Sequence, residues 1–559
     1  MKMLKTSFAE LTARKRAKAL LDEGTFRELL DPFEGVESPH LETQGIVPQS
    51  DDGVVVGKGE FNQEPAVIIA IEGSFQGGGI GEVSGAKIAG TLELALQDNR
   101  NGLPTKVVIL YDTGGVRLQE ANYGLLAIAE IGAAISALRE YTPVIGIIPG
   151  KIGCFGGMSL TAALCSSLIM TKEGRLTLNG PEVIEQEAGI EEFDSKNRRL
   201  IWNTIGGEQR FSMGFVDHLV EDDLMAVREI VKKEIKQDHA TLFRSEQVDL
   251  YRTRLKSIDP SQPENISKTK KNWNHIDAAQ SETSILSSIE TSHVESRGRT
   301  WFSSLTGESE NKETPSVLCT DKESDGEMIR FISVVPNPNS RFPRARKGEV
   351  GLEEGWAIAH YVQEAMEQDK DGKRRAIVAI VDVPSQAYGY NEEFFGLHQA
   401  GAAAVDAYAK ARRAGHPIIT LIVGNAISGG FLTHGLQSNI LLALNDQGVN
   451  VHVMSKQSAA RITRRTIHEL EEATKKTPAM AYDVTSFAEL GALYELIDGI
   501  DADHPDSNDI QMLESKIKEA IQSARSGKKD LRNRLEADKA KSSRKASIEV
   551  RQRLADLWN

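Results

Sequence analysis

Short apolar runs at residues 67–71, 107–110, 144–148 and 167–170 alternate with Gly- and Ala-rich stretches of helical length between about 53 and 220. A strand-then-helix rhythm of this kind predicts an α/β layered domain. The same rhythm returns from about 328 to 498 and predicts a second one. Ahead of the first region, residues 7–31 read as a helix broken at Gly24. Leu11, Ala17, Leu20 and Leu21 fall near helical spacing there, with Arg14, Lys15, Arg16 and Lys18 on the remainder. Between the two regions, from about 257 to 315, Ser, Thr, Asn, Lys and Glu take over. Such a stretch buries too little apolar area to offset its ordering entropy, so its middle is expected to be a flexible linker. The resulting division is 1–257, the polar linker 258–294, 295–505, and a helical, basic tail 506–559. From 526 to 551 the tail carries nine Lys or Arg against four Asp or Glu. Its plain reading is a solvated surface helix; the alternative is a docking element for an acidic partner.

The two regions read as copies of each other. Region one contains Gly81-Glu82-Val83, the strand 107–112, the strand 143–148 and then Gly156-Gly157. Region two contains Gly348-Glu349-Val350, the strand 379–382, the strand 417–422 and then Gly429-Gly430. Glu82 to Asp112 is 30 residues and Glu349 to Asp382 is 33; Asp112 to Gly156 is 44 and Asp382 to Gly429 is 47. Four landmarks in one order predict a duplication. If the copies pair across a pseudo-twofold axis, equivalent surfaces face one cleft.

Composition narrows the function. Of 559 residues 40% are hydrophobic and 26% charged, enough to build large cores. The net charge of −14 argues against nucleic acid, whose binding requires an excess of cations. The longest apolar runs fall far short of the ~20 residues that span a bilayer, and Met1-Lys2-Met3-Leu4-Lys5-Thr6 shows no secretory signal, so no membrane partner and a cytoplasmic location are expected. Three cysteines, Cys154, Cys165 and Cys319, make neither a disulfide framework nor a four-thiolate metal site.

The glycine pairs carry the chemistry. Each follows a buried strand and precedes a helix-compatible run. A helix start leaves backbone N–H groups unpaired, and glycine lets a substrate approach them. The helix dipole adds partial positive charge. The turns Asp112-Thr113-Gly114-Gly115-Val116-Arg117 and Asp382-Val383-Pro384-Ser385-Gln386-Ala387 are placed to supply a second N–H. Such a corner suits an oxygen that turns negative during reaction. Other chemistries find less support. Gly77-Gly78-Gly79-Ile80-Gly81 lacks a following Gly-Lys-Ser/Thr and the dinucleotide spacing. No His-x-x-x-His pair suggests a metal, no Gly-x-Ser-x-Gly elbow a serine nucleophile, and Met1-Lys2-Met3 matches the tripeptide around a biotinylated lysine only by chance.

At the level of motifs, Arg14-x-Arg16, Leu21-Asp22-x-Gly24-Thr25-Phe26-x-Glu28-Leu29, 112–120 and Phe155-Gly156-Gly157 resemble the carboxyltransferases of the crotonase-like superfamily. The string Arg341-Phe342-Pro343-Arg344-Ala345-Arg346-x-Gly348-Glu349-Val350-Gly351-Leu352-Glu353-Glu354-Gly355-Trp356 is similar to the gamma subunit of biotin-independent malonate decarboxylase, and region one resembles its beta subunit. The resemblance implies two tandem crotonase-like (ββα spiral) α/β domains, pseudo-twofold related, fused where the family uses separate chains. It implies a carbon-carbon lyase that turns a malonyl thioester on an acyl-carrier protein into acetyl thioester and CO2. The thioester sits on the carrier's phosphoribosyl-dephospho-CoA group, and this chain holds no covalent cofactor and no metal. An acyl carrier, an acyl-carrier transferase subunit and further copies of the chain are the expected partners. By the same carry-over, Val116 and Gly157 donate to the thioester oxygen, with Gly156 and Gly115 shaping that corner. Gly430, shaped by Gly429, and the turn at Gln386 face the departing carboxylate. Gly114, Gly115 and Arg117 line the substrate, Arg117 meeting a phosphate or a structural carboxylate. Tyr388, Tyr390 and His434 lie near enough to be weighed as proton donors. A biotin-dependent acyl-CoA carboxyltransferase subunit and a non-catalytic acyl-carrier-binding scaffold are the rival readings.

Overall fold

The computed structural model describes residues 5–237, 242–260, 273–275, 294–311, 313–462, 465–474 and 477–559. Met1-Lys2-Met3 and most of the expected linker 258–294 lie outside them. The chain divides into two compact units, one of Met1–Arg244 with Arg544–Asn559 and one of Ser245–Ser543.

The first unit opens with α1 (Ala13–Leu20), shorter than the helix expected over 7–31. Thr12 caps its start by accepting from Lys15 N–H, and Leu21 is already extended. Residues 27–29 then pair as an edge strand, so the chain leaves the helix before Gly24. The central sheet runs in the order β1 (Arg27–Leu29), β2 (Val54–Phe61), β3 (Glu64–Ile71), β5 (Lys106–Leu110), β7 (Val144–Ile148), β8 (Ser167–Thr171) and β9 (His218–Val220). The first three are antiparallel and the rest parallel. A two-stranded sheet pairs β4 (Gly79–Ile80) with β6 (Gly115–Val116). Phe8, Ala17 and Leu20 cover one face of the main sheet with Ile68, Val108, Leu110, Ile145, Ile147 and Ile169. On this unit also lie α2 (Glu82–Arg100), α3 (Ala121–Leu138) and the short α4 (Gly157–Ala163). The segment 118–138, containing α3, is long and apolar enough by composition to cross a membrane, but it is buried in the core.

The second unit repeats the strand order. β10 (Val317–Ser324) and β11 (Glu327–Val334) form an antiparallel hairpin. β12 (Ala376–Val383), β13 (Ile418–Ile427), β14 (Ile440–Leu444) and β16 (Glu495–Ile497) then follow in parallel, with β15 (Asn450–His452) beside the far end of β13. Ahead of the tail its long helices are Leu352–Gln368 and Leu397–Ala414. The tail is not one helix. It breaks into Ser507–Ser526, two short turns, and Lys545–Leu557, the last belonging to the first unit.

The landmark match needs one correction. α2 is capped by Gly81, and the helix Leu352–Gln368 is capped by Gly351 rather than Gly348. On this pairing Gly81 to Asp112 and Gly351 to Asp382 both span 31 residues. Gly348-Glu349-Val350 misled because the same Gly-Glu-Val letters recur three residues early. The fourth helical residue is glycine in both, Gly85 and Gly355, and each lies against a neighbouring helix. A methyl on Gly85 would stand 2.4 Å from Ala127 Cβ, and one on Gly355 2.9 Å from the Ala400 carbonyl carbon.

Overpacking a contact this close costs about 1–3 kcal/mol. Gly85→Val and Gly355→Val are each expected to lower the chemical-denaturation midpoint while leaving the slope intact. Wild-type midpoints in both would contradict the close helix crossing.

Candidate active site

In the first unit the loop 152–157 runs past the turn 112–117, and nearly every amide in both has a partner. In the loop, Ile152 and Gly153 N–H donate to Asp112 Oδ1 (2.6 and 3.3 Å), Cys154 to Arg175 O (2.8 Å), Phe155 to Thr113 O (3.0 Å) and Gly156 to Leu178 O (3.1 Å). In the turn, Thr113 N–H donates to Gly153 O and Gly114 to Gly77 O (both 2.8 Å), Gly115 to Thr113 Oγ1 (3.1 Å) and Arg117 to Ile80 O (2.9 Å). Two amides remain. Gly157 is the first residue of α4 and has no intrahelical acceptor. Val116 lies between two residues whose polar groups face β4, so the alternation of a strand turns its N–H the other way. Neither donates to an acceptor among the described residues.

Gly115 and Gly156 bring the two segments together. Their φ angles are 100° and 61°, in the region that favours glycine, and a methyl on Gly156 would stand 3.2 Å from Gly115 Cα and 4.0 Å from Val116 N. Gly78 plays a similar part behind the turn, where a methyl would stand 2.1 Å from Asp112 O, so the 77–81 glycines serve as backing for this corner. Asp112 is fully buried and paired with Arg16 at 2.9 Å. It is the post to which the loop is tied.

The second unit builds the corresponding corner with different chemistry. Val350 pairs with Gln386 as Ile80 pairs with Val116, and Ala387 N–H donates to Val350 O (3.0 Å) as Arg117 does to Ile80 O. Asp382 accepts from Asn425 N–H (3.0 Å), as Asp112 does from the loop 152–153. Val383 pairs with Ala426 as Thr113 pairs with Cys154. Counting forward two residues matches Gly156 with Ser428, and indeed Ser428 also has a positive φ of 58°. The glycine pairs therefore sit one residue out of register: Gly157 corresponds to Gly429, not Gly430. The Gly429 N–H is taken, donating to Gln386 Oε1 at 2.9 Å. Gly430 is held beside the turn, where a methyl would stand 2.6 Å from Ser385 O.

The helices behind these corners, Gly157–Ala163 and Ser428–Thr433, are seven and six residues long. Their summed dipole is small, so the individual N–H groups carry the polarity. Arg117 meets carboxylates. Its Nη1 lies 2.7 Å from Asp52 and 2.6 Å from Glu120, its Nη2 donates to Gly79 O, and the side chain is buried. Its charge is thus spent on the protein rather than offered to a ligand. Burial holds the Asp52 carboxyl up at about 6 against the pull of Arg117. His434 is fully buried between Tyr408 Oη and Ile380 O, both at 3.1 Å. The carbonyl requires Nε2 to carry the hydrogen, leaving Nδ1 to accept from the tyrosine. Burial pushes the ring down to about 4, so His434 is a neutral structural group near pH 7. Tyr390 stacks on Phe394 at 5.7 Å. Among the described residues no group of three or more His, Cys, Asp or Glu is placed to hold a metal ion.

The sequence pointed to the glycines but missed Ser428, which carries the unusual backbone without being glycine. It also gave no role to Asp112 and Asp382 beyond landmarks, although a buried aspartate closing a strand is the available signal for a braced loop.

Residues 6–265 match the carboxyl transferase domain family, and residues 345–558 match the malonate decarboxylase gamma subunit family. A malonyl-S-ACP:biotin-protein carboxyltransferase of Malonomonas rubra, MADC, is 46% identical over 40% of this chain and 73% of its own length. A second protein of that description from the same organism, MADD, is 41% identical over 33% of this chain and 65% of its own length. Among solved structures, a Pseudomonas malonate decarboxylase hetero-tetramer in complex with malonate has a chain 56% identical to this one. The match covers 48% of this chain and 98% of that one, with a TM-score of 0.47. The chain belongs to the carboxyltransferase family of the crotonase-like superfamily, as a malonate decarboxylase-type enzyme that carries a carboxyl transferase domain and a gamma-type domain in one polypeptide.

Proposed function

We propose that the chain decarboxylates a malonyl thioester carried on an acyl-carrier protein, releasing CO2 and leaving the acetyl thioester. Its halves are read as two crotonase-like spirals descended from one ancestor, a reading supported by the repeated strand order. The observation that carries the chemistry is the pair of unspent amides, Val116 and Gly157, at a corner where the other N–H groups of 113–117 and 152–156 have acceptors.

Free malonate resists losing CO2 because the carbanion left behind sits beside a carboxylate. A thioester removes that charge and lets the electron pair of the breaking C–C bond flow into its carbonyl oxygen as an enolate. The Val116 and Gly157 N–H groups are proposed to hold that oxygen, Gly114, Gly115 and Gly156 giving it room to approach. One such donor contributes about 2.7–4 kcal/mol in the transition state. The second corner, with Gly429, Gly430 and Gln386, is proposed to receive the departing carboxylate. A proton from solvent then reaches the enolate carbon, His434 being neutral and occupied on both nitrogens. The phosphoribosyl-dephospho-CoA group belongs to the carrier and enters with the substrate. An acyl-carrier transferase, further copies of the chain and a cytoplasmic setting complete this reading.

The second reading is carboxyl transfer to a biotin acceptor, favoured by the description of the Malonomonas relatives. Against it stands the Gly429 N–H, which is already engaged by Gln386 Oε1 and is thus withheld from an acceptor's ureido oxygen. In a purified system, avidin is expected to leave CO2 release from malonyl-carrier unchanged; abolished release would favour the biotin reading.

Proline suits the first position of a helix and removes one N–H there. Gly157→Pro is therefore expected to lower kcat by about 10²–10³-fold, whereas Gly157→Ala retains the donor and most of the rate. Equal rates in the two variants would sink the oxyanion assignment. Gly156→Ala, by contrast, forces a side chain into a backbone region nearly reserved for glycine. It is expected to cost on the order of 1–3 kcal/mol of stability in thermal or chemical unfolding.

A further inference from the structure

The C-terminal helix Lys545–Leu557 is built into the first unit rather than lying on its surface as a solvated tail. Val550 and Leu554 are buried, and Leu554 and Arg551 lie over Gly90 of α2, where a methyl would stand 3.0 Å from Arg551 Cγ. The socket is acidic. Glu130, fully buried, pairs with Arg544 at 2.8 Å and Arg551 at 2.7 Å, and Glu93 pairs with Arg551 at 3.0 Å. Asp98 accepts from the Trp558 indole at 2.9 Å. The two arginines hold the Glu130 carboxyl below its ordinary range despite burial.

One contact leads further. Ser547 donates through its backbone N–H (2.9 Å) and its hydroxyl (3.1 Å) to Glu82 Oε1, at the first residue of α2. The other Glu82 oxygen pairs with His40 at 2.6 Å. Glu82 N–H donates to Glu120 Oε1 (3.1 Å), Glu120 Oε2 pairs with Arg117 (2.6 Å), and Arg117 N–H ties to Ile80 O. Val116, the donor of the first corner, is thus flanked by Arg117 on one side and Gly115 on the other, with Ile80 as its strand partner. All of Glu82, Glu120 and Arg117 are buried.

We propose that the C-terminal helix is a positioning element of the first corner, acting on Val116 through Ser547, Glu82, Glu120 and Arg117. The acidic socket on α2 and α3 is the surface that receives it, and its partner is the basic end of the same polypeptide. A buried carboxylate such as Glu82 keeps one geometry only while its hydrogen-bond partners are present. Loss of Ser547 leaves the Glu82 carboxylate held by His40 alone, so the first turn of α2 is less firmly pinned, and the Glu120–Arg117 brace loosens with the Glu82 N–H that it accepts from. The inference rests on the oxyanion role proposed for Val116 where it concerns rate, but not where it concerns the order of the turn 114–118.

The test compares the full chain, a chain ending at residue 543, and the full-length variants Glu82→Ala and Glu82→Gln. Amide hydrogen exchange at 114–118 is read alongside CO2 release from malonyl-carrier. In the truncated chain and in Glu82→Ala, exchange at 114–118 is expected to quicken at least about tenfold. In the same proteins kcat is expected to fall roughly ten- to a hundredfold while KM stays within about twofold. Glu82→Gln keeps an oxygen for Ser547 and should behave as wild type. A synthetic peptide of residues 544–559 should restore the truncated chain but not Glu82→Ala. If the truncated chain fails to fold, Glu82→Ala against Glu82→Gln decides. Folded Glu82→Ala with wild-type exchange at 114–118 overturns the inference. Faster exchange in an enzyme whose wild-type form releases no CO2 supports it and instead removes the decarboxylase reading.

Discussion

The constraint on which the site depends is that a buried backbone N–H must find an acceptor. In the loop 152–156 and the turn 113–117 that requirement is met residue by residue, by Asp112, by carbonyls of neighbouring segments and by the Thr113 hydroxyl. Satisfying all but two amides fixes the backbone so that the remaining two, Val116 and Gly157, are held in place without any side chain of their own. A donor fixed this way needs little reorganisation when charge develops opposite it, which is the condition under which a single hydrogen bond contributes most to a transition state. The glycines at 115 and 156 matter because a methyl on either would push the two segments apart.

Holding such a corner requires charge buried behind it. Arg16–Asp112 braces the loop, and Arg117 with Asp52 and Glu120 braces the turn. Replacing buried ion pairs with well-packed apolar residues is often neutral for stability, but removing one partner of such a pair is costly. These pairs therefore make better sense as geometric fixtures than as sources of stability. The same logic accounts for the placement of Arg117 directly after Val116: a guanidinium with two carboxylates around it leaves the preceding peptide little freedom.

Much of this was legible in the sequence, and the exceptions are instructive. The strands at 67–71, 107–110, 144–148 and 167–170 were visible because parallel strands buried on both faces read as continuous apolar runs. The glycine corners were visible because few residues besides glycine adopt their backbone. The register between the copies was not. Ser428 occupies the left-handed position that Gly156 holds, so matching Gly-Gly to Gly-Gly slides the alignment by one residue. The helix over 7–31 was overestimated because the pattern of Leu and basic residues gives no sign that 27–29 pairs with β2. The basic tail was read as solvated because its acidic partners, Glu82, Glu93 and Glu130, lie more than 400 residues away in sequence. Contacts of that separation leave no local trace.

If the chain acts as proposed, the difference between the two corners bears on what becomes of the carboxyl group. A carboxylate about to leave as CO2 must surrender its negative charge, so strong donors aimed at it stabilise the starting state and slow the cleavage. An acceptor such as a ureido nitrogen has the opposite need, since donors on its carbonyl oxygen stabilise the charge that builds as nitrogen attacks. At the second corner the Gly429 N–H, equivalent to the unspent Gly157 N–H of the first, is already satisfied by the Gln386 amide oxygen. That internal bond keeps the corner's geometry while withdrawing one donor from any visiting oxygen. Under the proposed function, a corner of one design serves two ends, open where the enolate oxygen is held and closed by the protein's own amide where the carboxylate is let go.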